Sequence, residues 1–221
     1  MWSYRKVSID PFFAKHVHSQ LSLHSGKSTL LSVILRVLEI SSGTIKIDGL
    51  DLSTLSRSII RKRLITVTQH SLYIPGTIRM NIDPFSKASD SSIVTALIKV
   101  QLWPIIADRG GLDADFQLES LSKGQQQQLA LARAILQKST VVLLDEVTSS
   151  IDSETDRILR DVTREEFKDC TVLTVAHRPE TILAADVVVV LSEGVLVEYG
   201  VPEELMAKDS KLRDLLKHVD L

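Results

Sequence analysis

The chain has 221 residues, of which 44% are hydrophobic, 24% charged and 5% aromatic. A domain usually contains roughly 100–200 residues, so we expect one compact domain with enough apolar material for a core. This composition excludes disordered, collagen-like and disulfide-scaffold chains. The 26 Lys and Arg residues against 28 Asp and Glu residues give a formal net charge of -2. Because proteins that bind nucleic acids are typically basic, we expect no nucleic-acid partner.

The cysteine content and the lengths of the apolar runs bear on location. Cys170 is the only cysteine, so we predict neither an intrachain disulfide nor a thiolate metal cluster, and a reducing compartment such as the cytosol suits the chain. The apolar runs are strand-sized and fall short of the ~20 residues that span a bilayer. The N-terminus lacks the apolar core of a secretory signal. We therefore expect no transmembrane segment within this chain.

The first half of the chain predicts a helix, two strands and a helical block. Residues 1–20 show no clear period, and we expect no strands there. A helix is predicted from near Gly26, because apolar residues from Leu30 to Leu38 recur at helical spacing before a turn signal at residues 41–43. Strands are predicted at residues 44–48 and 64–68. Residues 76–136 show mainly helical periodicity, which we interpret as an inserted helical subdomain.

The second half returns to short apolar runs separated by helical segments. These runs are VVLLD (141–145), TVLTVA (171–176) and VVVVL (187–191). Runs that are apolar on both faces and alternate with helices indicate a parallel sheet covered by helices, which is the α/β class. The last run and the following GVLVEYG segment predict a hairpin.

A possible phosphate site lies at the start of the first helix, in the string Ser25-Gly26-Lys27-Ser28-Thr29. Helix N–H groups and the helix dipole favour an anion there, Lys27 can neutralise phosphate oxygens, and Ser28 can ligate Mg²⁺. The full pattern G-x-x-x-x-G-K-[ST] requires glycine where this chain has Leu21. A surface turn that opens a helix is the alternative explanation for the tetrapeptide GKST alone.

Two acidic residues follow the buried run VVLLD. Asp145 and Glu146 are predicted at the carboxyl end of a strand, the edge where open α/β sheets bind ligands. Asp145 would hold Mg²⁺ through water, and Glu146 would orient or deprotonate a water that attacks the γ-phosphate. Simple helix capping is the alternative for an acidic pair in this position.

The string LSKGQQQQLALARA is the most specific signal in the chain. Ser122 and Gln125 form an S-x-x-Q capping box, Gly124 removes a side chain at the mouth of the helix, and the helix beyond is rich in Leu and Ala. A capped, exposed helix N-terminus can serve as a second anion site. An ordinary capped helix would explain the cap but not the whole LS-x-GQ string.

Together these motifs resemble the nucleotide-binding domain of an ATP-binding-cassette transporter. SGKST resembles the Walker A motif, Gln69 the Q-loop, LSKGQ the signature, VVLLDE the Walker B motif, SSID (149–152) the D-loop and His177 the H-loop. The segments SSGTIKIDGLDL, GTIRMNIDPF and EYGVPEELM are similar to the second cassette of the multidrug-resistance-associated C subfamily. The resemblance covers roughly residues 25 to 219. The family pattern also usually has glycine where this chain has His24.

The resemblance implies a P-loop NTPase fold of RecA-like type with a parallel sheet and a helical signature subdomain at residues 76–136. It also implies that the N-terminal strands of the cassette are largely missing, so that residues 1–221 form an incomplete cassette. We assign no residue to stacking on adenine. The implied ligands are ATP and Mg²⁺. The implied partners are a second cassette, bound head to tail, and transmembrane domains that hold the chain on the cytoplasmic face of a membrane.

The resemblance also implies residue roles. Glu146 and His177 would be catalytic, and Ser28, Gln69 and Asp145 would hold the metal. The residues implied in nucleotide binding are Ser25, Gly26, Lys27, Ser28, Thr29, Gln69 and Asp145 in one chain, with Ser122, Gly124 and Gln125 contributed to a partner's nucleotide.

Two alternatives remain beside ATP-driven transport. A hydrolysis-deficient regulatory or relic module would explain Leu21, His24 and the short N-terminus. A DNA-repair or chromosome-maintenance ATPase shares the signature, but those families insert coiled coils or zinc-binding segments that this sequence lacks.

Overall fold

The computed structural model describes residues 7–9, 27–68, 72–117, 120–145, 151–176, 178–192 and 195–217. The helices are α1 (Lys27–Ile34), α2 (Arg57–Arg63), α3 (Ile78–Ile82), α4 (Asp90–Lys99), α5 (Trp103–Asp108), α6 (Lys123–Leu136), α7 (Ser153–Glu166), α8 (Pro179–Leu183), α9 (Pro202–Ala207) and α10 (Lys211–Lys217). The strands are β1 (Val7–Ile9), β2 (Ile45–Ile47), β3 (Leu50–Asp51), β4 (Leu64–Val67), β5 (Gly76–Thr77), β6 (Asp115–Phe116), β7 (Val141–Asp145), β8 (Thr171–Val175), β9 (Val188–Ser192) and β10 (Val195–Gly200). The chain divides into two compact units, Met1–Lys62 with Val175–Leu221, and Arg63–Thr174.

A parallel sheet lies at the centre of the unit Arg63–Thr174. β4 pairs with β7 in parallel, with Leu64 opposite Val141 and Val67 opposite Leu144, and β8 is the other neighbour of β7. The first four residues of β7 are buried, as expected for the middle strand of a sheet covered by helices. The predicted strands at 64–68, 141–145 and 171–176 and the α/β class are confirmed.

Helices α3 to α6 provide most of the covering. Their apolar residues join those of β4 and β7 in one core, in which Leu97, Leu102, Leu129 and Leu131 are fully buried. The helical pattern of residues 76–136 is therefore confirmed, with the addition of the short antiparallel pair β5 and β6. The interpretation of this segment as a separate subdomain stays a prediction.

The other unit contains a small antiparallel sheet in the order β1, β2, β3. Strand β1 corrects the expectation that residues 1–20 hold no strand. The signal was present, since Val7 and Ile9 are β-branched and alternate with Ser8.

Helix α1 forms where predicted but ends at Ile34, so the expected continuation to Leu38 is wrong. Arg36 adopts a left-handed backbone with a φ of 50°, which no α-helix can continue. Its guanidinium donates to the carbonyl oxygens of Leu52 at 3.3 Å and Leu55 at 2.7 Å. These long-range bonds hold the residue out of the helix and leave Val37 and Leu38 exposed.

The predicted hairpin is confirmed, because β9 and β10 pair in antiparallel. The expectation that VVVVL joins the parallel sheet with both faces buried is wrong, since β9 and β10 form a separate two-stranded sheet. One face packs Val190 against Leu205, Leu212 and Leu216, whereas Val189 on the other face is exposed. A hairpin can leave one face to water, which a parallel sheet does not do.

Among the described residues, no helix has both the length and the apolar character needed to cross a membrane.

Candidate functional site

The N-terminus of α6 carries the predicted capping box. The backbone N–H of Gln125 donates to Ser122 Oγ at 3.2 Å, and the backbone N–H of Ser122 donates to Gln125 Oε1 at 3.0 Å. Ser122 and Lys123 are exposed, whereas Gly124 is buried. The box is therefore confirmed, and it presents the positive end of a 14-residue helix at the surface.

A second helix begins beside this one. Asp152, the last residue of the SSID string, is the N-cap of α7, and its Oδ1 accepts the backbone N–H of Thr155 at 2.9 Å. The hydrogen bond from the Thr155 N–H holds the pKa of the Asp152 carboxyl below its usual value. Thr155 also lies against Gly124, so the first turns of α6 and α7 are in contact.

The chain that follows Gln69 is tied to α6 at two points. The Tyr73 hydroxyl donates to the carbonyl oxygen of Gln126 at 2.5 Å. Two turns further along α6, Arg133 donates to the carbonyl oxygens of Asn81 at 2.7 Å and Leu72 at 3.0 Å. The guanidinium of Arg133 also lies over the Tyr73 ring, 5.3 Å from its centroid. Burial lowers the pKa of Arg133, yet an arginine keeps its charge in proteins.

The acidic residue predicted for metal binding lies at the edge of the sheet. Asp145 ends β7 and is half-buried after four buried residues. Because β4 and β7 run in parallel with Val67 opposite Leu144, the chain leaves β4 towards Thr68 at the same edge. This is the edge at which parallel α/β sheets bind ligands. A carboxylate there has the oxygen chemistry that Mg²⁺ prefers.

The phosphate motif is described only in part. Lys27 and Ser28 are the first two residues of α1, and Thr29 follows as a half-buried residue. These three residues belong to one compact unit, and Asp145 and the N-terminus of α6 belong to the other. The helix start predicted near Gly26 is thus confirmed, while the roles of these side chains stay predictions.

Five of the predicted site residues lie outside the described residues: Ser25, Gly26, Gln69, Glu146 and His177. The metal set of Ser28, Gln69 and Asp145 is therefore represented by the Asp145 side chain alone. In the described ranges, no group of three or more His, Cys, Asp or Glu residues is placed to hold a metal ion.

Sequence reasoning missed Thr155, Tyr73 and Arg133. Part of the role of Thr155 was readable, because it lies three residues after Asp152 in an N-capping pattern. Its contact with Gly124 joins positions far apart in sequence, and so do the bonds of Tyr73 and Arg133. No local pattern indicates such contacts.

Comparison with known proteins places these features in a family. A model of the ABC transporter family matches residues 24–149, which is more than half of the chain. An ABC transporter of Aspergillus rugulosus, ecdL, is 45% identical over 195 residues, or 88% of this chain and 13% of that protein. ABC multidrug transporter B of Aspergillus fumigatus is 45% identical over 185 residues, covering 84% of this chain and 13% of that protein.

A mammalian relative is similar to the same degree. ATP-binding cassette sub-family C member 2 of Rattus norvegicus is 41% identical over 189 residues, which is 83% of this chain and 12% of that protein. The chain thus spans about one eighth of the length of each of these relatives. With its motifs in family order and these matches along most of its length, the chain belongs to the ABC transporter family, as a nucleotide-binding domain with relatives in the C subfamily.

Proposed function

We propose that this chain binds ATP between its own SGKST motif and the LSKGQ segment of a second cassette, and that hydrolysis of this ATP drives transport across a membrane. Family membership supports the ATP chemistry in general. The observation that carries the proposal for this chain is the capped and exposed N-terminus of α6, with Ser122 as its N-cap.

The helix end fits a phosphate on chemical grounds. The Gln125 N–H is taken by Ser122 Oγ, and the Gln126 N–H donates to the Ser122 carbonyl oxygen at 2.9 Å. By helix geometry, the N–H groups of Lys123 and Gly124 point along the axis towards an anion bound at this end. The exposed Lys123 adds positive charge. A triphosphate from a facing cassette would meet two donors and a favourable dipole.

The remaining roles are proposed residue by residue. Ser25, Gly26, Lys27, Ser28 and Thr29 would cradle the phosphates at the start of α1. Bound Mg²⁺ would supply charge neutralisation of the phosphates, and Ser28, Gln69 and Asp145 would hold it. Glu146 would accept a proton from the attacking water, and His177 would donate a hydrogen bond to the γ-phosphate.

The partners proposed are a second cassette and transmembrane domains on the cytoplasmic face of a membrane. An exposed apolar surface follows the Gln69 segment, where Leu72 is 86% and Phe85 77% exposed and Ile74 and Met80 are exposed as well. Apolar patches of this kind favour protein contacts. We assign this surface to a transmembrane domain. Drugs are the proposed cargo, since one similar protein is called a multidrug transporter.

The second candidate is a module that offers LSKGQ to a partner but hydrolyses nothing. It is favoured by Leu21 and His24, because both positions suit a residue without a β-carbon where backbone wraps around phosphates. The two candidates differ in whether this chain binds nucleotide itself.

Titration of the 221-residue chain with Mg-ATP, followed by calorimetry, separates them. We expect measurable affinity that falls at least tenfold on Lys27→Ala, with Lys62→Ala as the matched control because Lys62 is an exposed helical lysine of α2. Glu146→Gln should keep binding and lose phosphate release. Absence of binding at millimolar Mg-ATP would reject the enzyme and leave the non-hydrolysing module.

A further inference from the structure

The space beside Gly124 is filled by a neighbouring side chain. A β-carbon built on Gly124 would lie 2.9 Å from Thr155 Cγ2 and 3.4 Å from Thr155 Cβ and Oγ1. The first distance is shorter than carbon atoms tolerate, while the other two are near ordinary contact. The backbone of Gly124 does not itself require glycine, because the glycines with positive φ in the described part of the chain are elsewhere. Packing against Thr155 is therefore the reason that this structure gives for glycine at 124.

Thr155 is also held by the N-cap of its own helix. Asp152 Oδ1 accepts the Thr155 N–H at 2.9 Å. A β-branched residue has few χ1 rotamers in a helix. This restriction limits how far the Thr155 methyl can turn away from Gly124.

We propose that Thr155 is a positioning residue that locks the first turn of α6 to the first turn of α7, its methyl resting on Gly124 and its backbone N–H bonded to Asp152. The segment LSKGQ and Asp152, the N-cap of α7, then move as one rigid element. Its consequence for nucleotide use rests on the proposed function: LSKGQ cannot approach a partner's phosphates without carrying Asp152 with it.

The test asks whether Gly124→Ala raises or lowers the Tm in three backgrounds. Gly124→Ala in the natural chain should lower the Tm by about 3 to 8 °C, because it overpacks the contact with the methyl. In the Thr155→Ser background, which removes only that methyl, the same substitution should leave the Tm unchanged or raise it, since alanine favours helix over glycine. In the Thr155→Val background, which retains a methyl there, Gly124→Ala should again be destabilising.

Hydrogen exchange reports on the turn itself. Gly124→Ala should speed exchange of the Gln125 and Gln126 amides at least tenfold, and Thr155→Ser should restore their protection in the double variant. Because the single Thr155→Ser variant keeps the backbone N–H bond to Asp152, it should fold like the natural chain. A Gly124→Ala effect that is the same in the Ser and Val backgrounds, in Tm or in exchange, would overturn the proposal.

Nucleotide binding is measured on the same samples, so that a failure of the proposal for Thr155 can be distinguished from a failure of the proposed function. Tm and exchange need no nucleotide, and they decide the role of Thr155 even if the natural chain does not bind Mg-ATP. If it does bind, Mg-ATP-dependent self-association should fall with Gly124→Ala and return in the double variant with Thr155→Ser. Restored Tm without restored association would overturn the positioning role, because Gly124 would then be needed by the partner.

Discussion

Replacement of Arg133 tests how firmly α6 holds the chain that follows Gln69. In Arg133→Met the aliphatic stem is largely retained, but the donors to the carbonyl oxygens of Asn81 and Leu72 are lost, together with the contact over the Tyr73 ring. Asn81 is 1% exposed, so water does not readily reach the carbonyl that the substitution abandons. Leu72 is exposed, and water can replace that bond.

The magnitude follows from these contacts. The charge-assisted bond to Asn81 contributes about 1.5–3 kcal/mol, the contact with Tyr73 about 0.5–1 kcal/mol, and the solvent-accessible bond to Leu72 little. The sum is about 2–4 kcal/mol, which lowers the Tm by about 4 to 16 °C for a chain of this size. The Tm of Arg133→Lys should lie between those of the natural chain and Arg133→Met. The lysine ammonium keeps the charge but cannot bridge both carbonyl oxygens as the planar guanidinium does.

Thermal unfolding followed by circular dichroism measures the effect. Arg164→Met is the matched control, since Arg164 is an exposed arginine near the end of α7 in the same unit. We expect the control to lie within about 2 °C of the natural chain. If Arg133→Met were no less stable than Arg164→Met, the guanidinium would not be what fastens this segment to α6.

Two further predictions concern local stability. Ser122→Ala removes the acceptor of the Gln125 N–H and should lower the stability by about 1 kcal/mol, or the Tm by about 2 to 4 °C. Ser122→Asp keeps an N-cap and should change the Tm little. Equal losses of Tm in the two variants would contradict the capping assignment. Arg79 donates to Asp90 and Asp113 and holds the pKa of both carboxyls below its usual value. Depressed pKa values stabilise the fold above the unfolded pKa and lose that effect as pH falls. The Tm difference between Arg79→Met and the natural chain should therefore be present at pH 7 and shrink below about pH 4 in low salt, and a pH-independent difference would contradict it.

The sequence predicted those features that depend on residues close together along the chain. The capping box needs only Ser122 and Gln125, three positions apart, and both of its bonds form. The buried run of β7 and the period of α4 to α6 were readable for the same reason, since burial of one face leaves a repeating pattern.

What the sequence did not predict depends on contacts between distant residues. The helical period runs on past Ile34, yet Arg36 stops α1 by bonding to carbonyls 16 and 19 residues away. The apolar run of β9 predicted the hairpin with β10 but not that Val189 on one of its faces is exposed, because a run that is apolar at every position does not show which face is buried. The contact of Gly124 with Thr155 likewise follows from the packing of two helices.

The outer face of the β9–β10 hairpin affects how strongly copies of the chain associate in solution. Val189 and Tyr199 are opposite each other in the register, and Tyr199 is 65% exposed. An exposed apolar face of this kind favours association between copies of the chain at high concentration. Sedimentation of the chain should thus show a background of weak clustering in the absence of nucleotide. Any ATP-driven pairing has to be read as the increase above that background, at matched protein concentration and ionic strength.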